Sequence, residues 1–281
     1  MRANHRTASL STMHIEAAPE RIWEGLATAR GMKTYLTDEV HAPNEHISEG
    51  DEIRIVIGDM INDAVCLASD RPRLFRLKDR FRSLLADDSY VEYELVTTFR
   101  LEEEEHMTRV SVEVDGYDEN SELHRWVREC GEFGWKQSLF NLKLVLELGL
   151  DLRYDVFGYP RFGVCNYTAT PAQLRAKGLD PDRVQGNYLM EVFPEGPAAR
   201  AGLRPGDIVV SFGGRDVPTY AEFIRSLGLC AGTNGPVGVT YYREGCRLHT
   251  EAVLSYDKLL TGLVDPTEES VRQVADGKRS S

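Results

Sequence analysis

Long apolar runs are missing from this chain. No stretch of its 281 residues approaches the ~20 apolar residues that span a bilayer as a helix, so no membrane span is expected. Met1 to Glu16 holds no continuous apolar segment of the secretory kind, which points to the cytoplasm. Cysteine is sparse: Cys66, Cys130, Cys165, Cys230 and Cys246 are odd in number and irregularly spaced, which excludes a disulfide framework and zinc-ligand spacing. Reduced, mostly buried thiols are expected. His5, His14, His41, His46, His106, His124 and His249 form no His-x-His or His-Glu-x-x-His pattern, so no metal centre is expected. His124 reads as an exposed or satisfied histidine and not as a general base. No Gly-x-Ser-x-Gly or Gly-Asn-Ser-Gly-Gly element occurs, and no glycine loop opens a helix to cradle phosphate. No catalytic residue and no cofactor is assigned.

Basic clusters are also missing, and charge is unevenly spread. Residues 1–154 carry 19 Lys and Arg against 30 Asp and Glu, a net −11, while residues 155–281 carry 14 against 15, a net −1. This argues against nucleic acid as a partner, since a phosphate-binding surface needs clustered Lys and Arg and no run forms one. The asymmetry suggests two units with separate histories.

The first unit opens with an alternating run, Ser11 to Ile15, that reads as an edge strand. Pro19 starts a helix whose Ile22, Trp23 and Leu26 share a face, and a second short helix covers Gly31 to Leu36. Alternating strands follow at Ile53 to Ile57, Ala64 to Leu67, Leu74 to Leu77, Tyr90 to Leu101 and Thr108 to Val114. Glu102 to Glu105 are expected as a solvated turn between the last two. Ser121 can cap a long helix ending near Leu148, with Gly149 as its C-cap. Its apolar stripe runs through Trp126, Phe133, Trp135, Leu139 and Leu142.

Two segments carry a resemblance. Ile15-Glu16-Ala17-Ala18-Pro19-Glu20-Arg21-Ile22-Trp23 and Gly134-Trp135-Lys136-Gln137-Ser138-Leu139-Phe140-Asn141-Leu142-Lys143 resemble the START-like, SRPBCC helix-grip superfamily, in the branch named after the activator of the heat-shock protein 90 ATPase. The resemblance implies a curved antiparallel sheet around a long C-terminal helix over residues 8–150. It also implies a hydrophobic small molecule held between sheet and helix, with Trp135, Leu139 and Leu142 as the candidate contacts. The same stripe serves a filled core equally well.

The strongest local signal is Glu195-Gly196-Pro197-Ala198-Ala199-Arg200-Ala201-Gly202-Leu203-Arg204-Pro205-Gly206-Asp207-Ile208-Val209. Pro197 starts a one-turn helix of small residues, Gly202 ends it, and Gly206-Asp207 turns the chain into a strand over Ile208 to Phe212. Gly213-Gly214 closes a hairpin, Tyr220 to Leu227 forms a helix, and Val237 to Arg243 and Leu248 to Leu254 are the last strands. This segment resembles a PDZ domain of the type attached to bacterial high-temperature-requirement proteases, a mainly β unit spanning 154–257. The segment Ala169 to Gln185 is longer and more polar than in short PDZ domains.

The resemblance implies that backbone N–H groups around Phe162, Gly163 and Val164 receive the terminal carboxylate of a partner's C-terminal peptide, with Arg161 adding positive charge nearby. A strand from Val164 to Tyr167 would pair with that peptide. Phe162, Val164, Ile224 and Leu227 would line the pocket for its last side chain, or else simply close the core. Phe162 before the glycine departs from the usual aliphatic pattern. Residues 265–281 are expected to be a disordered tail.

The fold class is therefore α+β: a helix-grip domain followed by a PDZ domain. The leading functional expectation is a non-enzymatic adaptor that binds a C-terminal peptide and a hydrophobic small molecule or protein surface. Two alternatives stand beside it: a co-chaperone-like ATPase regulator, and an enzyme acting on a hydrophobic metabolite. The enzyme would require a closed apolar cavity containing a polar residue without a structural partner, and falls if the space is packed solid.

Overall fold

The structure, a computed structural model, describes residues 7–37, 39–57, 60–85, 89–153, 159–233 and 235–256. The expected tail at 265–281 and the middle of the junction after Asp151 lie outside the described residues.

The first unit begins with strand β1 (Ala8–Ile15), helices α1 (Pro19–Leu26) and α2 (Ala29–Tyr35), and strand β2 (Glu39–His41). It continues through β3 (Glu52–Ile57), β4 (Met60–Asp70), β5 (Leu74–Leu84), β6 (Tyr90–Glu104) and β7 (Met107–Asp115) into helix α3 (Glu122–Leu148). The seven strands form one antiparallel sheet in the order β1-β7-β6-β5-β4-β3-β2. Alternation decides which face turns inward: along β7, Thr108, Val110, Val112 and Val114 are buried while their neighbours are half-exposed. The sheet's aromatics then stack toward the long helix. Trp23 meets Phe75 at 5.9 Å, Phe75 meets Phe99 at 5.8 Å, and Phe99 meets Trp135 of α3 at 5.2 Å. Helix α3 starts where Ser121 Oγ accepts from the His124 N–H (3.3 Å), and it ends at Gly149, whose φ of +70° lies in the left-handed region. This is the helix-grip architecture.

One local expectation is corrected. Glu102, Glu103 and Glu104 belong to β6, and only Glu105 and His106 make the turn. Arg109 on β7 pairs across the strands with both Glu102 and Glu104, so the glutamates extend the ladder instead of ending it.

The second unit contains β8 (Val164–Thr168), α4 (Pro171–Ala176), β9 (Asn187–Val192), α5 (Pro197–Arg200), β10 (Ile208–Phe212), β11 (Arg215–Asp216), α6 (Tyr220–Leu229), β12 (Val237–Arg243) and β13 (Cys246–Ala252). Its sheet runs β13-β12-β10-β9-β8, with β11 paired to β10, which leaves β8 at an edge. The long polar segment after β8 is partly helical. Thr170 and Gln173 form a capping box at the start of α4, with Pro171 in its first turn. Phe162, Phe212 and Phe223 make the aromatic centre of this core, at centroid separations of 4.9 to 5.9 Å.

The second unit rests on α3. Phe133 packs between the rings of Tyr159 (6.1 Å) and Tyr220 (6.4 Å), and Gln137 Nε2 donates to Tyr159 Oη at 2.8 Å.

Candidate functional site

The loop Arg161 to Val164 is held from behind. Arg161 and Ser255 exchange backbone hydrogen bonds, the Ala198 N–H donates to Phe162 O (2.9 Å), and the Phe193 N–H donates to Gly163 O (3.0 Å). That last bond fixes where Val164 points. Val164 lies opposite Val192 as a non-hydrogen-bonded pair, so its own N–H is directed to the open edge of β8. No acceptor is paired with the N–H of Phe162 or Gly163 among the described residues. Gly163 sits at φ +79°, with a Cβ position that would lie 3.3 Å from Gly196 Cα. A side chain there meets both strain and backbone, so glycine is required. The result is a concave turn whose donors suit a carboxylate.

Helix α6 flanks this loop and completes a groove with β8. Ile224 and Leu227 face the groove, and Thr219 caps the helix by accepting from the Glu222 N–H (3.3 Å). The groove's far end is closed by the first unit. Glu129 Oε2 on α3 accepts from both the N–H (3.0 Å) and the hydroxyl (2.6 Å) of Thr168, and the Tyr220 N–H donates to that hydroxyl oxygen at 2.9 Å. Burial is the main cause that raises the Glu129 carboxyl, against the lowering effect of the Thr168 bonds. Burial, followed by the neighbouring Cys130, holds the Tyr220 hydroxyl well above its ordinary range.

The groove does not end in a packed core. It opens into a cavity of about 600 Å³ that continues between α3 and the first sheet. Arg161, Phe162, Gly163, Val164, Ile224 and Leu227 all border it, as does Trp135. The structure thus brings together all six residues expected for peptide capture and one of the three expected for the chamber. Leu139 and Leu142 are fully buried between helix and sheet and do not border the space. Their turns of α3 lie nearer α1 and the packed end, where Leu142 Cδ1 is 3.0 Å from the Cβ position of Gly25.

The chamber wall is mainly apolar and carries a polar cluster on the sheet. The Asp79 carboxyl is fully buried and accepts from Asn62 Nδ2 (2.8 Å) and Thr97 Oγ1 (2.6 Å). Burial raises it above the ordinary carboxylate range, opposed by the bonds from Thr97 and Asn62. Asn62 Oδ1, also buried, has no hydrogen-bond partner. Sequence reasoning missed this cluster, because a single Asn, Asp and Thr on three neighbouring strands leave no spacing signal. His124 is satisfied as expected: its Nδ1 accepts from the Asp118 N–H at 2.7 Å. Among the described residues no group of His, Cys, Asp and Glu is arranged to hold a metal.

Residues 189–234 match the family model of the PDZ domain. The second unit carries a PDZ domain. The PDZ region is similar to a probable periplasmic serine protease of the do/HhoA-like kind from Haemophilus influenzae, with 34% identity over 70 residues, 25% of this chain and 15% of that protein. This chain therefore spans only a small part of that relative's length. Among solved structures, the chain is similar to the Aha1 dimer of Colwellia psychrerythraea (19% identity, 50% of this chain and 97% of that one, TM-score 0.41). It is also similar to the HtrA3 PDZ domain bound to a phage-derived ligand, FGRWV (25% identity, 34% and 88%, TM-score 0.27). Among the described residues no helix is long and apolar enough to cross a membrane.

Proposed function

We propose that this two-domain binding protein captures the free carboxyl end of a partner polypeptide in its PDZ groove and takes an apolar group into its helix-grip chamber. The domain limits are taken as 8–150 and 154–257. The observation that carries this reading is the loop at Phe162, Gly163 and Val164, which borders the cavity and whose N–H groups have no backbone acceptor among the described residues. A peptide that adds to β8 runs antiparallel from this loop toward Thr168, where Glu129 already holds the edge N–H. From Val164 to Thr168 an extended chain covers about 13 Å. The groove therefore suits a tail of about four residues, with the last side chain against Ile224 and Leu227.

The test is fluorescence polarisation with labelled tail peptides, each paired with its C-terminally amidated twin. Affinities of roughly micromolar, about −8 kcal/mol, are expected for the free acids. They should collapse on amidation, because the carboxylate's charge-assisted bonds are lost. Equal binding of both forms would overturn the reading.

A second reading, an enzyme acting on a hydrophobic metabolite, draws on the unfilled chamber and the Asn62–Asp79–Thr97 cluster. It is the weaker of the two, because both Asp79 oxygens are already engaged by Asn62 and Thr97. The cytoplasm remains the proposed compartment, in keeping with five free cysteines, Cys246 among them exposed.

A further inference from the structure

The PDZ groove and the helix-grip chamber are one space, and its two ends differ chemically. We propose that this space holds a single amphipathic carboxylic acid, with its carboxylate on the loop at Phe162 to Val164, its hydrocarbon body in the chamber, and a hydroxyl donating to Asn62 Oδ1. The inference rests on the reading that this loop receives a carboxylate, and it names a small molecule that competes with the peptide tail.

Size argues first. A peptide's last side chain needs only the mouth, whereas about 600 Å³ lies in the range of pockets that bury a whole small molecule. A longer peptide cannot use the remainder, because its backbone N–H and C=O groups would be buried against Phe99, Leu77 and Trp135 without partners. A hydrocarbon chain carries no such cost.

The wall of α3 argues second. Gly131 and Gly134 border the cavity within a continuous helix, where each glycine costs about 1 kcal/mol relative to alanine. Neither has a positive φ, and neither allows a close approach of another chain. A Cβ on Gly134 would meet nothing within 4 Å, and one on Gly131 only Tyr117 Oη at 3.7 Å. What the missing side chains leave is open space in the helix wall that borders the groove.

Polarity argues third. Arg161 belongs to the loop and Arg153, paired with Asp151, also borders the space, while the one bordering carboxyl among the described residues, Asp79, lies on the sheet with both oxygens engaged, so the loop end of the lining suits an anionic head group. Within the sheet cluster, Asn62 Nδ2 is committed to Asp79, and Asn62 Oδ1 is a buried acceptor with no partner. Leaving such a group unpaired costs about 1–3 kcal/mol, which a ligand donor would offset.

The experiment titrates the full chain with dodecanoic acid, its methyl ester and ω-hydroxydodecanoic acid, read by the fluorescence of Trp126 and Trp135, both of which border the space. The acid should bind, the ester should bind roughly tenfold more weakly or worse, and the hydroxy acid roughly tenfold more tightly, each step being of the order of one hydrogen bond. Gly134→Leu, whose Cβ meets open space, should remain folded by circular dichroism and lose the acid. Equal binding of acid and ester, or full binding by Gly134→Leu, overturns the proposal, and equal binding of acid and hydroxy acid overturns the role given to Asn62. A labelled tail peptide runs in parallel. Carboxylate-dependent peptide binding with no response to any acid overturns this inference alone. Acid binding that discriminates the ester, with no peptide binding, overturns peptide capture alone.

Discussion

The Glu129 carboxylate of the long helix receives both the backbone N–H and the hydroxyl of Thr168, at 3.0 and 2.6 Å, and so takes the place a longer peptide's carbonyl would need on the edge strand. On the proposed reading, the helix-grip unit thereby limits the length of tail that the edge of β8 can pair. Replacing the side chain by Glu129→Ala should free that edge. Tail peptides of about eight residues are expected to gain roughly tenfold in affinity, the order of one charge-assisted hydrogen bond, while tripeptides are unchanged. A polarisation series over peptide length in both proteins checks this.

Gly163 makes a second prediction. With φ at +79° and Gly196 Cα 3.3 Å from its Cβ position, Gly163→Ala is strained twice. A stability loss of about 1–2 kcal/mol is expected from the left-handed backbone alone, measurable by urea unfolding. Free-acid peptides should weaken, because the turn can no longer converge its N–H groups.

Much of this was legible in the sequence, for local reasons. The Ser121 and Gly149 caps, the Pro197 helix start and the Gly206-Asp207 turn are short-range signals, and each stands where the residues put it. The six loop and groove residues were readable because a motif fixes their order along the chain. Three features were not. Glu129 and Thr168 are 39 residues apart and meet only when the two units dock. The Asn62–Asp79–Thr97 cluster depends on strand register, which alternation alone does not set across three strands. Gly131 and Gly134 read as weaknesses in a helix, and only the space beside them gives them meaning.

Asp79 should show in the pH dependence of stability. Burial raises its carboxyl above the ordinary value, and burial likewise raises that of Glu129. A carboxyl raised in the folded state makes the native chain hold more protons than the unfolded one. That contribution to stability is therefore full below about pH 4, the unfolded-state value, and is lost as pH rises through the folded-state value. Asp79→Asn removes its share. The new amide can donate to Asn62 once the Asn62 amide turns its free oxygen toward it. The variant should be at least as stable as the parent at neutral pH, with a flatter profile in urea unfolding across mildly acidic pH. A steeper fall toward neutral pH would contradict the assignment.

Asp207 anchors the PDZ turn. Its buried carboxylate accepts from Arg243 Nε (2.8 Å), Arg243 Nη2 (2.7 Å) and the Arg204 N–H (2.8 Å). Breaking a fully buried pair costs about 3–5 kcal/mol, but the Arg243 side chain is 25% exposed and can rehydrate. Asp207→Ala is therefore expected to cost about 2–3 kcal/mol, seen as a lower urea midpoint with peptide specificity unchanged in the folded fraction.

The central claim is that backbone donors at Phe162, Gly163 and Val164 hold a carboxylate. The most direct test follows the amide resonances of these three residues in the full chain by NMR, during titration with a short tail peptide and with its amidated twin. The account predicts large downfield proton shifts at all three with the free acid and small ones with the amide. Unmoved resonances with the free acid, or the same shifts with both peptides, would contradict it.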